Sequence, residues 1–397
     1  MIRLAEILLL CASVLLLVPV VVLLTEVVLA VISRRRNTPQ GGSRPLVAVL
    51  VPAHDESAVI GATIRSIASQ LEEGDTLLVV ADNCSDATAA IALAAGAEVI
   101  TRTDTNHRGK GYALDFGVRH LQSTPPDVLI SVDADCEVGA DCIDRLAREC
   151  ARVARPVQAL YLMRAVDSPG IQARMAQFAW LVKNKVRPLG LHSVGLPCQL
   201  MGTGMAFPWP CIANAALATA SIVEDMKLGI DLARHGAPPQ FCPEARVTSF
   251  FPSLPSAARE QRTRWEHGHL GMILSEAPRL LVLSVTSLRP WLLIFALDLS
   301  VPPLALLALL VGAVWSGGAL LYLFERQAVP LALASAAVGM LMVAGLLSWA
   351  RYGRAILSAG DLALAVVYPL AKLPLYARFI VARQKRWVRS SRDRSGS

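Results

Sequence analysis

Apolar residues are concentrated at the two ends of the chain. The first apolar run covers residues 4–32 and the other apolar runs lie beyond residue 290. A membrane-spanning helix needs about 20 apolar residues, whereas the apolar core of a signal peptide has roughly 7–15. The length of the first run therefore predicts a retained transmembrane helix over residues 1–33.

The carboxyl-terminal region 290–381 predicts further membrane helices. A long apolar run at 291–324 is interrupted by Pro302 and Pro303, and a second follows near 328–350. Residues 361–381 contain Lys372, which favours an interfacial or re-entrant helix over a complete span. We expect three spans and leave the fourth open. Asp298 within this region would be costly unless it is paired or faces protein.

Between the ends, short apolar runs alternate with amphipathic stretches. Continuous runs rich in β-branched residues are typical of buried parallel strands, and the intervening residues recur at helical spacing. This alternation predicts an α/β domain with a doubly wound sheet, extending over residues 45–255. The expected strands are 46–51, 76–81, 98–101 and 127–132, and the expected helices are 60–71, 86–96 and 109–122.

Polar and acidic residues follow the first, second and fourth of these strands. Ligands of open α/β sheets bind at the carboxyl ends of the strands, so these residues are the candidates for a binding site. Asp133 and Asp135 are two positions apart, so in an extended chain both carboxylates point to one side. They suit a hard divalent cation that also holds a diphosphate. The absence of G-x-G-x-x-G after the first strand disfavours a dinucleotide-dependent oxidoreductase.

The net charge of +7 is explained by the basic tail from Arg378 onward. Arg34, Arg35 and Arg36 follow the first helix, which predicts a cytoplasmic central domain in a multi-pass protein of the inner (plasma) membrane. A basic tail at 382–397 is suited to anionic membrane lipids. The central domain has no basic stripe or recognition motif, so we expect no nucleic-acid partner. Eight cysteines without C-x-x-C spacing predict reduced thiols and no zinc site.

A dense polar cluster, "EQRTRWEHGH", occupies residues 260–269 shortly before the second apolar region. One interpretation is an interfacial helix, over 256–285, with Trp265 at the membrane boundary. A second is that this helix carries part of a ligand site. His267 and His269 receive no functional role.

Seven segments in order resemble the family 2 glycosyltransferases. They are "VPAHDES", "VVADNCSDAT", "GKGYALDFG", "VDADC", "GTGMAF", "VEDMKLG" and "QRTRW". The set looks like the membrane-bound branch of that family, which includes cellulose, chitin and hyaluronan synthases and ceramide glucosyltransferase. The resemblance covers about residues 45–270. It implies a nucleotide-sugar-binding domain of the GT-A type flanked by transmembrane helices.

The resemblance also implies roles for individual residues. Asp82 would hold the base of the nucleotide, Lys110 would neutralise the donor, and Asp133 would contact its ribose and sugar. Asp135 would bind Mg²⁺ or Mn²⁺. His54 is a departure from the aromatic residue that is more common at its position, which leaves base selectivity open. The complete predicted donor set is Pro52, His54, Glu56, Asp82, Lys110, Asp133 and Arg264.

Asp225 is the predicted catalytic base, because an inverting transfer needs a carboxylate to take the acceptor proton. Glu224 is the alternative, but consecutive helical residues diverge by about 100°, so we expect only one of them to face the acceptor. Two acids at a helix start are also favoured by the helix dipole alone. The predicted acceptor contacts are Gly202, Thr203, Gly204, Gln261 and Trp265. Residues 200–207 are expected to form a strand edge that the acceptor or the donor sugar approaches.

Together these features predict a membrane-anchored inverting glycosyltransferase. Its donor would be a nucleotide sugar, expected to be UDP-linked, and its acceptor a lipid-linked or growing polysaccharide in exopolysaccharide or cell-envelope glycan synthesis. A processive polysaccharide synthase is an alternative within the same class. A transporter with a regulatory domain and a nucleotide sensor are alternatives from other classes.

Overall fold

The computed structural model describes residues 2–33, 43–165, 170–219, 221–252, 254–365 and 367–381. The predicted arginine cluster at 34–36 and the basic tail at 382–397 lie outside this part of the chain. The chain divides into two compact units. The helical unit comprises Met1–Arg34, Ser168–Leu196 and His269–Arg383, and the sheet unit comprises Arg35–Asp167 and Pro197–Gly268, with Gln384–Ser397.

Eight strands and fifteen α-helices make up the described structure. The strands are β1 Val47–Ala53, β2 Thr76–Asp82, β3 Glu98–Arg102, β4 Val128–Ser131, β5 Glu137–Val138, β6 Val157–Arg164, β7 Met205–Pro208 and β8 Gln240–Phe250. The helices are α1 Ile2–Ile32, α2 Ile60–Ala68, α3 Thr88–Ala94, α4 Lys110–Leu121, α5 Cys142–Val153, α6 Ile171–Leu181, α7 Arg187–Ser193, α8 Trp209–Ile212, α9 Glu224–Arg234, α10 Pro255–Thr286, α11 Pro290–Ser300, α12 Leu304–Glu325, α13 Ala328–Ser348, α14 Ala359–Ala365 and α15 Leu373–Val381.

The sheet unit is built on one mixed sheet in the order β3-β2-β1-β4-β7-β6-β8-β5. The first four of these strands are parallel to one another, as the alternating pattern predicts. From β7 onward the sheet also contains antiparallel pairs. The expectation of a doubly wound parallel sheet therefore holds for one half, and the sheet as a whole is mixed.

Burial on both faces explains why β1 and β2 read as continuous apolar runs. Val49, Leu50 and Val51 are all fully buried, although neighbours along a strand point to opposite faces. On one face Leu50 packs in a cluster with Leu114 and Val118 of α4. The four strands expected from the sequence are confirmed, and their carboxyl ends lie on one edge of the sheet.

The strand expected near residues 200–207 is present, but its position differs from the prediction. It begins at Met205 and pairs with β4 on one side and β6 on the other. It is therefore an interior strand, not an edge to which a sugar has access. Residues 201–204, directly before β7, form an irregular loop.

The helical unit includes a segment that the sequence placed in the central domain. Residues 170–196 belong to the unit that contains α1, and the backbone at Gly190 lies so close to Glu26 that a Cβ atom would fall 2.0 Å from the Glu26 carbonyl oxygen. Arg187 donates hydrogen bonds to Glu26 (2.6 Å) and to the Asp298 side chain (2.6 Å). The predicted need of Asp298 for a partner is met within the protein.

Three helical stretches of the described structure are long and apolar enough to cross a membrane: Arg3–Ile32, Leu304–Glu325 and Ala328–Gly353. The pair Ala359–Ala365 and Tyr368–Val381 passes the same test together but is bent by 52°. The number of candidate spans, three or four, agrees with the expectation from the sequence.

Candidate active site

The turn after β4 holds two carboxylates in a fixed arrangement. The Asp133 backbone N–H donates to the Thr203 hydroxyl (3.0 Å), and the Thr63 hydroxyl donates to the Ala134 carbonyl (2.8 Å). Carboxylate oxygens of Asp133 and Asp135 and the Cys136 sulfur all lie within 4.8 Å of one another. The predicted convergence of the two acids is thus present.

Lys110 connects this turn to the loop before β7. It is the first residue of α4, and its ammonium donates to the Asp133 carboxylate and to the Gly202 carbonyl. Burial disfavours the charged ammonium, but the carboxylates of Asp133, Glu224 and Asp225 outweigh this and raise the pKa of Lys110. Burial also raises the pKa of Asp133, and Lys110 only partly offsets that effect. Lys110 therefore remains cationic among the acids.

Asp225 lies beside the Lys110–Gly202 contact. A Cβ atom on Gly202 would be 3.3 Å from an Asp225 carboxylate oxygen and 4.0 Å from the Lys110 nitrogen. Asp225 is in the first turn of α9 and lines a pocket with Lys110, Thr219 and Lys227. The structure therefore brings Lys110, Asp133, Gly202 and Asp225 together.

Glu224 and Asp225 are both among the residues that line this pocket. Both lie in the first turn of α9. Burial, together with the neighbouring Asp225 charge, raises the pKa of Glu224 to about 7, although Lys110 opposes the shift. Both acids therefore remain candidates for the catalytic base by their position, and the charge on Asp225 acts on Glu224.

Thr203 and Gly204 have structural contacts where acceptor contacts were predicted. Thr203 is fully buried, and its hydroxyl holds Asp133 as described. Gly204 has φ +64°, and a Cβ atom there would lie 2.8 Å from both Ala159 and Val247. Their burial argues against direct acceptor contact. Gly202 differs, because it faces Asp225 and Lys110.

Gln158, in β6, was missed by sequence reasoning. Its side-chain amide donates to the Thr203 carbonyl (2.9 Å), and its oxygen accepts from the Met201 N–H (2.8 Å). It therefore fixes both ends of the loop that carries Gly202. An isolated buried glutamine gives no recognisable signal in a sequence.

The ends of β1 and β2 form a second polar region. His54 follows β1, and its Nδ1 lies 2.7 Å from the Asp82 carbonyl oxygen. The Glu56 backbone N–H donates to the Thr88 hydroxyl (2.7 Å), while Pro52 lies within β1 opposite Val80. The Asp82 carboxylate accepts a hydrogen bond from Arg102 (2.7 Å), a residue that the sequence reading did not select.

The QRTRW segment lies on α10, which begins at Pro255 as a continuous helix to Thr286. Gly268 packs against the residues that precede α9, because a Cβ atom there would be 2.5 Å from Val223. Gln261 is buried, whereas Arg264 and Trp265 are half-buried. The expected helix is confirmed, and the individual roles of these three side chains remain predictions.

The acidic turn is suited to a hard divalent cation. Asp133 and Asp135 supply the carboxylate oxygens that Mg²⁺ and Mn²⁺ prefer. Burial raises the pKa of the Cys136 thiol well above its usual range. The carboxylate oxygens fit such an ion.

Residues 44–268 match the family described as Glycosyltransferase like family 2. The chain belongs to this family. The match extends over more than half of the 397 residues and includes Lys110, Asp133 and Asp225. The protein is therefore a glycosyltransferase, as the sequence predicted. No curated protein matches the sequence.

Comparison with solved structures supports a likeness in fold for a mannosyltransferase. A mannosyltransferase, PcManGT from Pyrobaculum calidifontis in complex with GDP-Man and Mn²⁺, is 14% identical, with a TM-score of 0.58. That likeness covers 95% of this chain and 100% of the other. A glucosyl-3-phosphoglycerate synthase from Mycobacterium tuberculosis is 21% identical over 59% of this chain and 84% of its own, with a TM-score of 0.37.

Proposed function

We propose that this glycosyltransferase is a membrane-anchored inverting enzyme that moves a sugar from a UDP-linked donor to a hydroxyl group of a lipid-linked or growing polysaccharide acceptor. The observation that carries the proposal is the meeting of Lys110, Asp133 and Asp225 around one small loop at Gly202. A cation for the donor and a carboxylate for the acceptor are the two groups that such a transfer requires.

The donor is proposed to lie along the carboxyl ends of β1, β2 and β4. Asp82 would bind the base, with Pro52, His54 and Glu56 lining the same side, while Asp133 would contact the ribose and sugar. Asp135, with Asp133, would hold Mg²⁺ or Mn²⁺, which neutralises the diphosphate as it leaves. PcManGT contains Mn²⁺ with a nucleotide sugar, which supports the choice of ion. Lys110 and Arg264 would add positive charge along the diphosphate.

Transfer then requires one proton acceptor and one new bond. The Asp225 carboxylate would take the proton of the acceptor hydroxyl while that oxygen bonds to the anomeric carbon. The bond from that carbon to the diphosphate oxygen breaks, and the nucleoside diphosphate leaves with the electron pair. The close approach of Asp225 to Gly202 and Lys110 supports this assignment, because the base must lie next to the donor charge.

The acceptor is proposed to contact the first part of α10. Trp265 offers a flat face for a sugar ring, and Gln261 can hydrogen-bond to its hydroxyl groups. The packing of Gly268 on Val223 places this helix beside the residues that lead into α9. Three candidate spans in the same chain favour an acceptor that is carried by a membrane.

A processive polysaccharide synthase remains the alternative within this class. A polymerase that also secretes its chain needs a channel through the bilayer. The described helices provide three candidate spans, or four if the bent pair counts as one. That number favours transfer of single sugars.

Transfer assays in purified membranes test the proposal through its metal. Chelation should abolish transfer from UDP-sugars, and added Mg²⁺ or Mn²⁺ should restore it. Asp135→Ala should lose activity that metal cannot restore, whereas Glu73→Ala, which changes an exposed loop residue, should behave as wild type. Full activity of Asp135→Ala in metal-free buffer would refute the proposed metal site.

A further inference from the structure

The side-chain amide of Gln158 holds residues 201–203, which we call the Gly202 loop, from both ends. Its oxygen accepts a hydrogen bond from the Met201 N–H (2.8 Å), and its nitrogen donates to the carbonyl groups of Thr203 (2.9 Å) and Ala159 (2.8 Å). Gln158 lies in β6 and is fully buried. Movement of the loop would therefore break at least one hydrogen bond that water does not replace.

The Gly202 loop contacts groups on both sides of the candidate active site. The Gly202 carbonyl accepts from the Lys110 ammonium, which also donates to the Asp133 carboxylate. The Thr203 hydroxyl accepts from the Asp133 backbone N–H (3.0 Å). On the other side, a Cβ atom on Gly202 would lie 3.3 Å from an Asp225 carboxylate oxygen. The position of this loop therefore sets the spacing between the turn at Asp133 and the carboxylate of Asp225.

The strand alone does not explain a glutamine at this position. Val157, Ala159 and Leu160, its neighbours in β6, are all apolar and buried. A buried amide must pair each of its polar groups to avoid a cost, whereas apolar side chains at such a position need no partners. The partners of Gln158 lie mainly in the Gly202 loop, so the loop explains the residue better than the strand does.

We propose that Gln158 is a positioning residue for sugar transfer, which holds the Gly202 loop so that Lys110 and Asp225 keep the spacing that the reaction needs. The inference rests on the proposed function and goes beyond it, because the hydrogen bonds of the Gln158 side chain all go to backbone groups. Displacing a catalytic group by about 1 Å can lower a rate roughly 100-fold, so a residue with no contact to substrate can still control the reaction.

Two substitutions of similar size, Gln158→Met and Gln158→Glu, separate positioning from packing. Methionine can make neither hydrogen bond to the loop. A protonated carboxyl group can make both, because its hydroxyl can donate to the Thr203 carbonyl and its other oxygen can accept from the Met201 N–H. Burial disfavours the carboxylate form and raises the pKa of the introduced carboxyl group. The Gln158→Glu variant should therefore keep both bonds at low pH and lose one of them as the pH rises.

The measurement is the release of UDP from a panel of UDP-hexoses, with Mn²⁺, by membranes that contain the full-length protein. Gln158→Met should lower the rate by about tenfold or more. At about pH 6, Gln158→Glu should stay within severalfold of the wild type, and its ratio to the wild-type rate should fall as the pH is raised to about 9. Dividing by the wild-type rate at each pH accounts for the titration of Glu224 and Asp225, which both proteins share.

Gln70→Glu is the matched control. The Gln70 side chain also joins two backbone groups, because it donates to the Ser66 carbonyl (2.8 Å) and accepts from the Ile143 N–H (3.2 Å). Its partners belong to α2 and α5 and not to the Gly202 loop. The ratio of Gln70→Glu to the wild type should therefore not change with pH.

Three outcomes would overturn the inference: a wild-type rate in Gln158→Met, equal rates for the two Gln158 variants at about pH 6, or a loss with rising pH that Gln70→Glu shares. If Gln158→Met does not fold, Gln158→Glu carries the test alone, and a ratio to wild type that is independent of pH overturns the inference. If the wild-type protein releases no UDP from UDP-hexoses, the proposed function itself fails, whereas the other outcomes leave that function intact.

Discussion

At the scale of single residues, Gly202 is the position where the backbone enters the site. Its φ of +96° favours glycine, and its carbonyl oxygen accepts from Lys110. A side chain there would also crowd the Asp225 carboxylate. Backbone strain and crowding of Asp225 therefore both disfavour any residue other than glycine at position 202.

Gly202→Ala should lower the rate of sugar transfer by about tenfold or more, since small displacements of a catalytic group have effects of this size or larger. Gly96→Ala is the matched control. Gly96 has the same φ of +96° but nothing within 4 Å of a Cβ atom, so it reproduces the backbone strain without the crowding. Equal rates for the two variants would show that crowding at Asp225 does not matter.

The candidate site residues that could be predicted from sequence are those whose adjacent residues identify a strand end or a helix start. Asp133 and Asp135 follow a buried strand, and Lys110 starts a helix after a glycine, so their positions could be read locally. Gln158 and Arg102 depend on partners that are distant in sequence, such as Thr203 and Asp82. The burial of Thr203 and its hydrogen bond with the Asp133 N–H likewise depend on partners distant in sequence.

At the scale of elements, the helical unit is connected by a buried ionic group. Arg187 in α7 bonds Glu26 of α1 and Asp298 of α11, and each of the three is buried. One Glu26 oxygen has no partner among the described residues. Arg187 is the shared partner of both acids, so its loss should destabilise the folded helical unit.

Arg187→Met should destabilise the folded protein by about 3–5 kcal/mol, because it leaves buried carboxylates without their partner. Thermal unfolding of the detergent-solubilised protein measures the effect. Arg279→Met is the control, since Arg279 is exposed and its pair with Glu276 should contribute about 0–1 kcal/mol. Equal melting temperatures for the two variants would contradict a structural role for the ionic group.

The elements that the sequence predicted well are the parallel strands and their helices. Both faces of β1, β2 and β4 are buried, which produces uninterrupted apolar runs. The second half of the sheet contains β5 with two residues and β7 with four, too short for a periodic pattern. Residues 168–196 could not be assigned to the helical unit from sequence, because their place depends on the close approach of Gly190 to α1.

At the scale of the whole molecule, the orientation of the chain in the membrane remains a prediction. The arginines at 34–36 favour a cytoplasmic sheet unit, as do Arg351 at the end of the third candidate span and Arg354 directly after it. If the donor is a nucleotide sugar taken from the cytoplasm, as proposed, it would require the same orientation.

Protease treatment tests this orientation. The sheet unit should resist protease added to intact spheroplasts and be cleaved in inverted membrane vesicles. The two preparations expose opposite faces of the membrane, so each serves as the control for the other. Cleavage of residues 45–285 from outside intact spheroplasts would reverse the predicted topology.

The central claim is that Asp225 removes the acceptor proton, and Asp225→Asn tests it most directly. Asparagine preserves size but is not a base, so transfer should fall by roughly 10²–10⁴ while nucleotide-sugar binding stays close to wild type. Trp265→Ala should instead weaken acceptor use and keep part of the donor hydrolysis by water. Unchanged transfer by Asp225→Asn would contradict the account and leave Glu224 as the base, and loss of donor binding would assign Asp225 to the donor pocket.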